Sequence, residues 1–186
     1  MSLVIAKAAA ITGIGHSLEE TWASLETGVC RYRRSPFVGL LGERHRISAV
    51  LDPSHRVSGA ARGLLLATPA LEACLPSLRG GRIALLLALD SLEDPRPAIL
   101  APLAGIAENA LNAWAPLADQ VADWLATREA PVAHVETHRG GGPACLHLLD
   151  RAAALLESGS FDRVLLGAVS SSCEAPLLDV NAGGVW

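Results

Sequence analysis

Chemistry in this chain has its best chance around one glycine-rich stretch. Gly140-Gly141-Gly142-Pro143 stands ahead of a leucine-bearing helical pattern. Successive glycines at a helix N-terminus can turn their backbone N–H groups toward an anion, so these three form a candidate substrate-binding nest. The same glycines would also suit a loop whose backbone packs tightly at a dimer interface. His138 lies just before the loop, where an imidazole could donate a proton. Cys145 and His147 follow it. A helical cysteine more often packs as a small hydrophobe, and His147 reads as a satisfied core residue or as one that supports a site residue from behind.

Other chemistries fail on spacing. The four cysteines, Cys30, Cys74, Cys145 and Cys173, never fall in a CxxC pair, so neither a zinc site nor a disulfide scaffold is expected. Cys173, beside Ser170-Ser171-Ser172, reads as structural. Gly13-Ile14-Gly15 follows an apolar run, but the third glycine of a dinucleotide fingerprint is replaced by Leu18. A G-x-S-x-G elbow is absent, which disfavours a serine hydrolase. No metal and no cofactor is expected.

The elements that must position these residues follow from periodicity. Leu3–Thr12 reads as a buried strand running into the Gly13–Gly15 turn. Ser17 and Glu20 have the spacing of a capping box. Leu18, Trp22 and Leu25 then recur on one helical face, and Gly28 stands where a helix stops. Residues 29–56 read as a long surface loop with a short strand near Ile47–Leu51. Ser58–Leu75 reads as helix, with Thr68-Pro69 kinking it or capping a second segment. Arg82–Leu89 is a continuous apolar run, the pattern of a strand buried on both faces of a parallel sheet.

Asp94–Pro102 reads as a proline-rich connection. Leu103–Thr127 carries a helical stripe of Leu103, Ile106, Ala110 and Trp114, broken at Pro116 before Val121, Trp124 and Leu125. Both tryptophans read as core. Pro131–Glu136 is a third strand. The helix after the glycines should bury Leu146, Leu149, Ala153 and Leu156 and end at Ser158-Gly159. Arg163–Val169 is a fourth strand. Strands alternating with helices predict an α/β fold, a mostly parallel sheet with helices on both faces.

Composition narrows the function classes. Of 186 residues, 51% are hydrophobic and only 18% charged, against roughly 25% charged in an average soluble domain. That excludes intrinsic disorder and suggests a surface covered by another domain or subunit. The net charge of −4 and seven aromatic residues offer neither a basic field nor stacking platforms, so nucleic acid is not an expected partner. The longest purely apolar stretch, Ile83–Leu89, falls far short of the ~20 residues of a membrane span. The N-terminus lacks a charged region ahead of its apolar run, and a cytoplasmic location is expected.

Two stretches resemble the N-terminal half of a β-ketoacyl synthase. One is Ile11-Thr-Gly-Ile-Gly15 with Ser17-Leu-Glu-Glu-Thr-Trp-Ala-Ser-Leu-Glu-Thr-Gly28, which is similar to the family's T-G-x-G turn and S-x-E-E-x-W-x-x-L-x-x-G helix. The turn between Gly15 and Ser17 is shorter than the family's. The other runs from Cys145-Leu-His147 through Leu155-Leu-Glu-Ser-Gly159, Asp162-Arg-Val-Leu-Leu-Gly167 and Cys173-Glu-Ala-Pro176. It resembles the helix after the family's nucleophile, the strand behind it and the E-A-P stretch beyond. Arg62-Gly-Leu-Leu-Leu-Ala67 is a weaker middle match. Together these span nearly the whole chain, with loose agreement between residues 90 and 130.

The resemblance implies one thiolase-like half, 1–186, and condensation of an acyl thioester with a malonyl-type thioester on an acyl carrier protein. It places a nucleophilic cysteine at the tip of the third strand, at the start of a buried helix. There the helix N-terminus favours thiolate, and backbone N–H groups can hold an oxyanion. Counting back from Ser158-Gly159 without gaps puts that position at Gly142, which cannot attack a thioester. Cys145, about one helical turn on, is the available thiol. The family's two catalytic histidines belong to its second half and have no counterpart here. Three versions follow: an acyltransferase completed by a partner chain, a non-catalytic chain-length-factor-like subunit of a heterodimer, or a piece of a longer protein. The resemblance also implies dimerisation, as a homodimer or with a ketosynthase-like chain, through the strand before the glycines.

Overall fold

The computed structural model describes residues 3–34, 46–48, 50, 59–89, 112–140 and 144–169. Helix α1 is Leu18–Glu26, strands β1 and β2 are Arg33–Arg34 and Arg46–Ile47, and helix α2 is Gly59–Cys74, continued by a 3-10 turn, Leu75–Ser77. Then come β3 (Ile83–Leu89), α3 (Leu117–Ala126), β4 (Val132–Arg139), α4 (Ala144–Glu157) and β5 (Arg163–Val169). The principal sheet has three parallel strands in the order β4-β3-β5. β1 and β2 form a separate antiparallel pair.

Central β3 is buried along its whole length, as its unbroken apolar run predicts. Its residues alternate between two cores because successive side chains of a strand face opposite ways. Ile83, Leu85, Leu87 and Leu89 meet α2 and α3 through Leu71, Leu117, Val121 and Leu125. Ala84, Leu86 and Ala88 meet α4 through Ala144, Leu148 and Leu155. Helices therefore cover both faces of a parallel sheet, and the α/β expectation holds at that level.

The strand starts are tied together at one end. Asp162 accepts a hydrogen bond from the Arg82 N–H at 2.7 Å, and its own N–H donates to the Arg82 carbonyl at 2.9 Å. Gly81, with φ +83°, allows this approach, since a Cβ there would lie 2.9 Å from Asp162 Cβ.

Several expectations need correction. Residues 3–11 form no strand; among the described residues the pairing nearby is a bridge between Thr12 and Gly15. Val4 and Ile5 are exposed, so this apolar run has no partner strand among the described residues. Helix α1 is capped as expected: Ser17 Oγ accepts the Glu20 N–H at 3.1 Å, and Glu20 Oε2 accepts from the His16 N–H at 2.8 Å. It ends at Gly28 in a left-handed conformation, φ +66°.

Its buried face, however, is the opposite of the one expected. Thr21 and Ser24 point inward, whereas Trp22 and Leu25 are 62% and 60% exposed. Polar contacts hold this face: Thr12 Oγ1 to Thr21 Oγ1 at 3.1 Å, and Ser24 Oγ donating to the Ile14 carbonyl at 2.8 Å. Gly15 permits the approach, because a Cβ there would lie 2.4 Å from the Thr21 nitrogen.

Helix α2 runs through Pro69 without interruption. Thr68 Oγ1 donates to the Leu64 carbonyl at 2.7 Å beside the missing proline N–H. Of the strand expected near Ile47–Leu51, the described residues show only the pairing of Arg46–Ile47. Pro116 directly precedes α3, where a proline is tolerated, and Trp114, Val121 and Leu125 are core. Leu103, Ile106 and Ala110 lie outside the described residues. No helix among the described residues is long and apolar enough to cross a membrane.

Candidate functional site

The site forms where β4 ends and α4 begins, at the carboxyl ends of the parallel strands. In open α/β sheets that end is where ligands usually sit. β4 runs to Arg139, three residues beyond the expected strand, and Gly140 follows. A Cβ at Gly140 would lie 3.2 Å from His138 Nε2 and 3.4 Å from Ala144 Cβ. The absent side chain thus leaves room for the His138 ring and the start of α4. Gly141 and Gly142 lie outside the described residues, as does Cys173.

Cys145 is the second residue of α4 and is half-buried. It packs against the core formed by Ala84, Leu86 and Ala88 of β3 with Ala144 and Leu148 of α4. Its own N–H is among the first four of the helix, which have no partner within the helix. The thiol therefore occupies the seam between α4 and the sheet, beside donors of the kind an oxyanion needs.

His138 reaches the same seam from the strand. It lies opposite Ala88 in the β3–β4 register, so both side chains share the α4 face of the sheet. His147 approaches from α4, its ring centroid 6.0 Å from that of His138 at 54°. Both histidines are exposed, so of the two placements expected for His147 the core one does not hold. The structure brings Cys145, His138, His147 and Gly140 to one end of one seam, with no hydrogen bond between thiol and ring.

A second group lies further along the seam, and spacing alone could have found it. His134, Glu136 and His138 alternate along β4 and so share a face. His134 Nε2 lies 3.4 Å from Glu136 Oε2, and Arg151 Nε of α4 donates to the same oxygen at 2.9 Å. The hydrogen bond from Arg151 holds the Glu136 carboxyl below the usual carboxylate range, against a smaller opposing effect of burial. The His134 ring also meets Phe161, at 5.5 Å between centroids. This group fastens the helix to the strand that carries His138.

The outward face of α4 corrects another expectation. Leu146 and Leu149, expected to be core, are 67% and 52% exposed. The buried stripe is Ala144, Leu148 and Leu155.

A separate cavity of about 350 Å³ opens on the α2 side of the sheet, between Ala9–Thr12, Leu66 and Ala70 of α2 and the outer edge of β5. Cys74 lines it, and burial pushes that thiol up, with a smaller opposing pull from Lys7. Neither Cys145 nor Gly140 lines it. Among the described residues no group of three or more His, Cys, Asp or Glu side chains is arranged to hold a metal ion. No family model matches the chain, and no curated protein or solved structure matches it.

Proposed function

We propose that this chain is a β-ketoacyl-synthase-like protein of fatty-acid or polyketide-type biosynthesis, in which Cys145 accepts an acyl group from a thioester. One observation carries the reading. The thiol stands in the first turn of α4, the helix that follows β4 in the chain. The family resemblance asks for a nucleophile at the tip of that strand. In the transfer, the Cys145 sulfur bonds to the thioester carbonyl carbon and the bond to the carrier sulfur breaks. The leaving sulfur takes up the proton that Cys145 gave up. Backbone N–H groups of the first turn face the oxyanion formed on the way. Condensation with a malonyl-type thioester would then need histidines from a partner chain, and the β4 edge is the surface through which the resemblance implies pairing.

A second reading is a non-catalytic subunit paired with an active ketosynthase-like chain. The exposed Leu146 and Leu149, next to the thiol, favour a covered surface there.

Intact-mass spectrometry after incubation with an acyl-CoA or acyl carrier protein tests the enzyme reading. A mass gain of one acyl group that disappears in Cys145→Ala supports it. A folded chain that gains no mass overturns it in favour of the subunit.

A further inference from the structure

The cavity on the α2 side of the sheet meets Leu85 and Leu87 of β3, whereas Cys145 packs on the other face of that strand. It takes no part in the proposed acyl transfer. We propose that this cavity binds one aliphatic chain with an acidic head, a medium-chain carboxylate, whose head meets Lys7 at the mouth.

The walls select the chain. The lining side chains are aliphatic except for Thr12 and Cys74, and none is charged or aromatic. Thr12 Oγ1 is already engaged, with Thr21 Oγ1 at 3.1 Å and the Ile14 N–H at 3.3 Å. The walls therefore suit the apolar part of a ligand. The shape favours a slender one. The lining follows α2 from Leu66 to Cys74, about 12 Å at the helical rise. Spread over that length, a volume of about 350 Å³ has a cross-section of only about 30 Å². At about 30 Å³ for a water-sized group, the same volume takes a chain of roughly ten carbons.

One charge at the mouth selects the head. Lys7 is the only lysine of the chain. It is exposed and stands two residues before Ala9, which lines the cavity. Its charge also reaches Cys74 on the α2 wall: burial raises that thiol, and Lys7 pulls against the rise. An ammonium beside an apolar cavity with no acidic side chain in its lining is complementary to a carboxylate. Glu19 of α1 is a weak competitor. Hydrogen bonds from its own backbone N–H and from Ser17 hold its carboxyl low, and Lys7 contributes less. Among the described residues no ion pair joins Glu19 to Lys7.

Protection of Cys74 reads the site directly, because that thiol lines the cavity while Cys30 is exposed. The full chain is alkylated with iodoacetamide at about pH 8.5. Decanoate, decanol or decyltrimethylammonium is present, each below its micelle-forming concentration. The Cys74 rate relative to Cys30, with and without ligand, is read by peptide mass spectrometry. With decanoate at about ten times its dissociation constant the free fraction is about one tenth, so Cys74 should slow about tenfold. Decanol should need about fivefold more ligand for the same protection, the worth of one exposed ion pair. The decyl ammonium should need more still. In Lys7→Met the advantage of decanoate over decanol should vanish while decanol still protects. Ala70→Leu, which narrows the cavity, should weaken protection by all three ligands, and Ala67→Leu serves if that variant fails to keep its circular dichroism spectrum. A Cys74 rate that decanoate leaves unmoved in the folded wild type would overturn the site. Equal protection by all three ligands, or a decanoate advantage that survives Lys7→Met, would overturn the acidic head. Acyl transfer is judged separately, by the mass gain at Cys145.

Discussion

Arg151 of α4 and Glu136 of β4 meet through a 2.9 Å hydrogen bond from Nε to Oε2, the one ion pair that joins this helix to the sheet among the described residues. Both side chains remain partly open to water, so the pair should stabilise the fold by only about 0.2–1 kcal/mol. Its pH dependence has a definite sign. The Glu136 carboxyl is held lower in the folded chain than in the unfolded one. The contribution is therefore present above the unfolded value, near pH 4.5, and is lost as pH falls through the folded value. Urea midpoints measured at neutral pH and in the acid range should separate wild type from Glu136→Gln at neutral pH and converge in acid.

The phase of α4 can be checked by mutation. Leu148 is 2% exposed and packs on the sheet, so Leu148→Ala should cost about 2–5 kcal/mol in chemical denaturation. Leu149→Ser, on the outward face, should change stability by less than about 0.5 kcal/mol. The reverse ranking would restore the helix phase expected from the leucine spacing.

Gly63 sets two effects against each other. Alanine in place of glycine inside a helix gains about 1 kcal/mol of propensity. Here a Cβ would lie 2.7 Å from the Trp114 ring and 2.8 Å from Leu117 Cδ2. Both neighbours are core residues, 6% and 0% exposed, with little room to withdraw. Overpacking of this kind costs about 1–3 kcal/mol, so Gly63→Ala should be net destabilising by about 1 kcal/mol. A thermal midpoint above that of wild type would contradict the packing of α2 on α3.

The free thiols should also react in a set order. Burial raises the Cys74 thiol and lowers its thiolate fraction near neutrality. Cys30 is exposed. Alkylation at about pH 7.5 should modify Cys30 well before Cys74, and the gap should narrow as pH rises. Equal rates near neutrality would mean that Cys74 is not enclosed by the cavity wall.

Local pattern determined a large part of this protein. The unbroken apolar run from Ile83 to Leu89 could only be a strand buried on both sides, and it is the sheet centre. Ser17, Glu20 and Gly28 marked the ends of α1, because capping and left-handed turns depend on a few neighbouring atoms. That a helix carrying Cys145 in its first turn follows β4 was legible from the alternation of apolar run and helical pattern. Tertiary structure decided which faces are buried and which side chains meet. Helices α1 and α4 each carry apolar residues on more than one side, so periodicity alone did not choose. The small residues Gly15 and Thr21 let α1 dock by its polar face, and Ala84 and Ala88 on the sheet selected Leu148 over Leu149 in α4. Leu3–Thr12 had a strand's composition, yet a strand needs a partner edge, which lies beyond what local sequence specifies. The meeting of His138 with His147, and of Glu136 with Arg151, depends on the pleat of β4 facing one side of α4. That is a relation between two elements, and only their packing determines it.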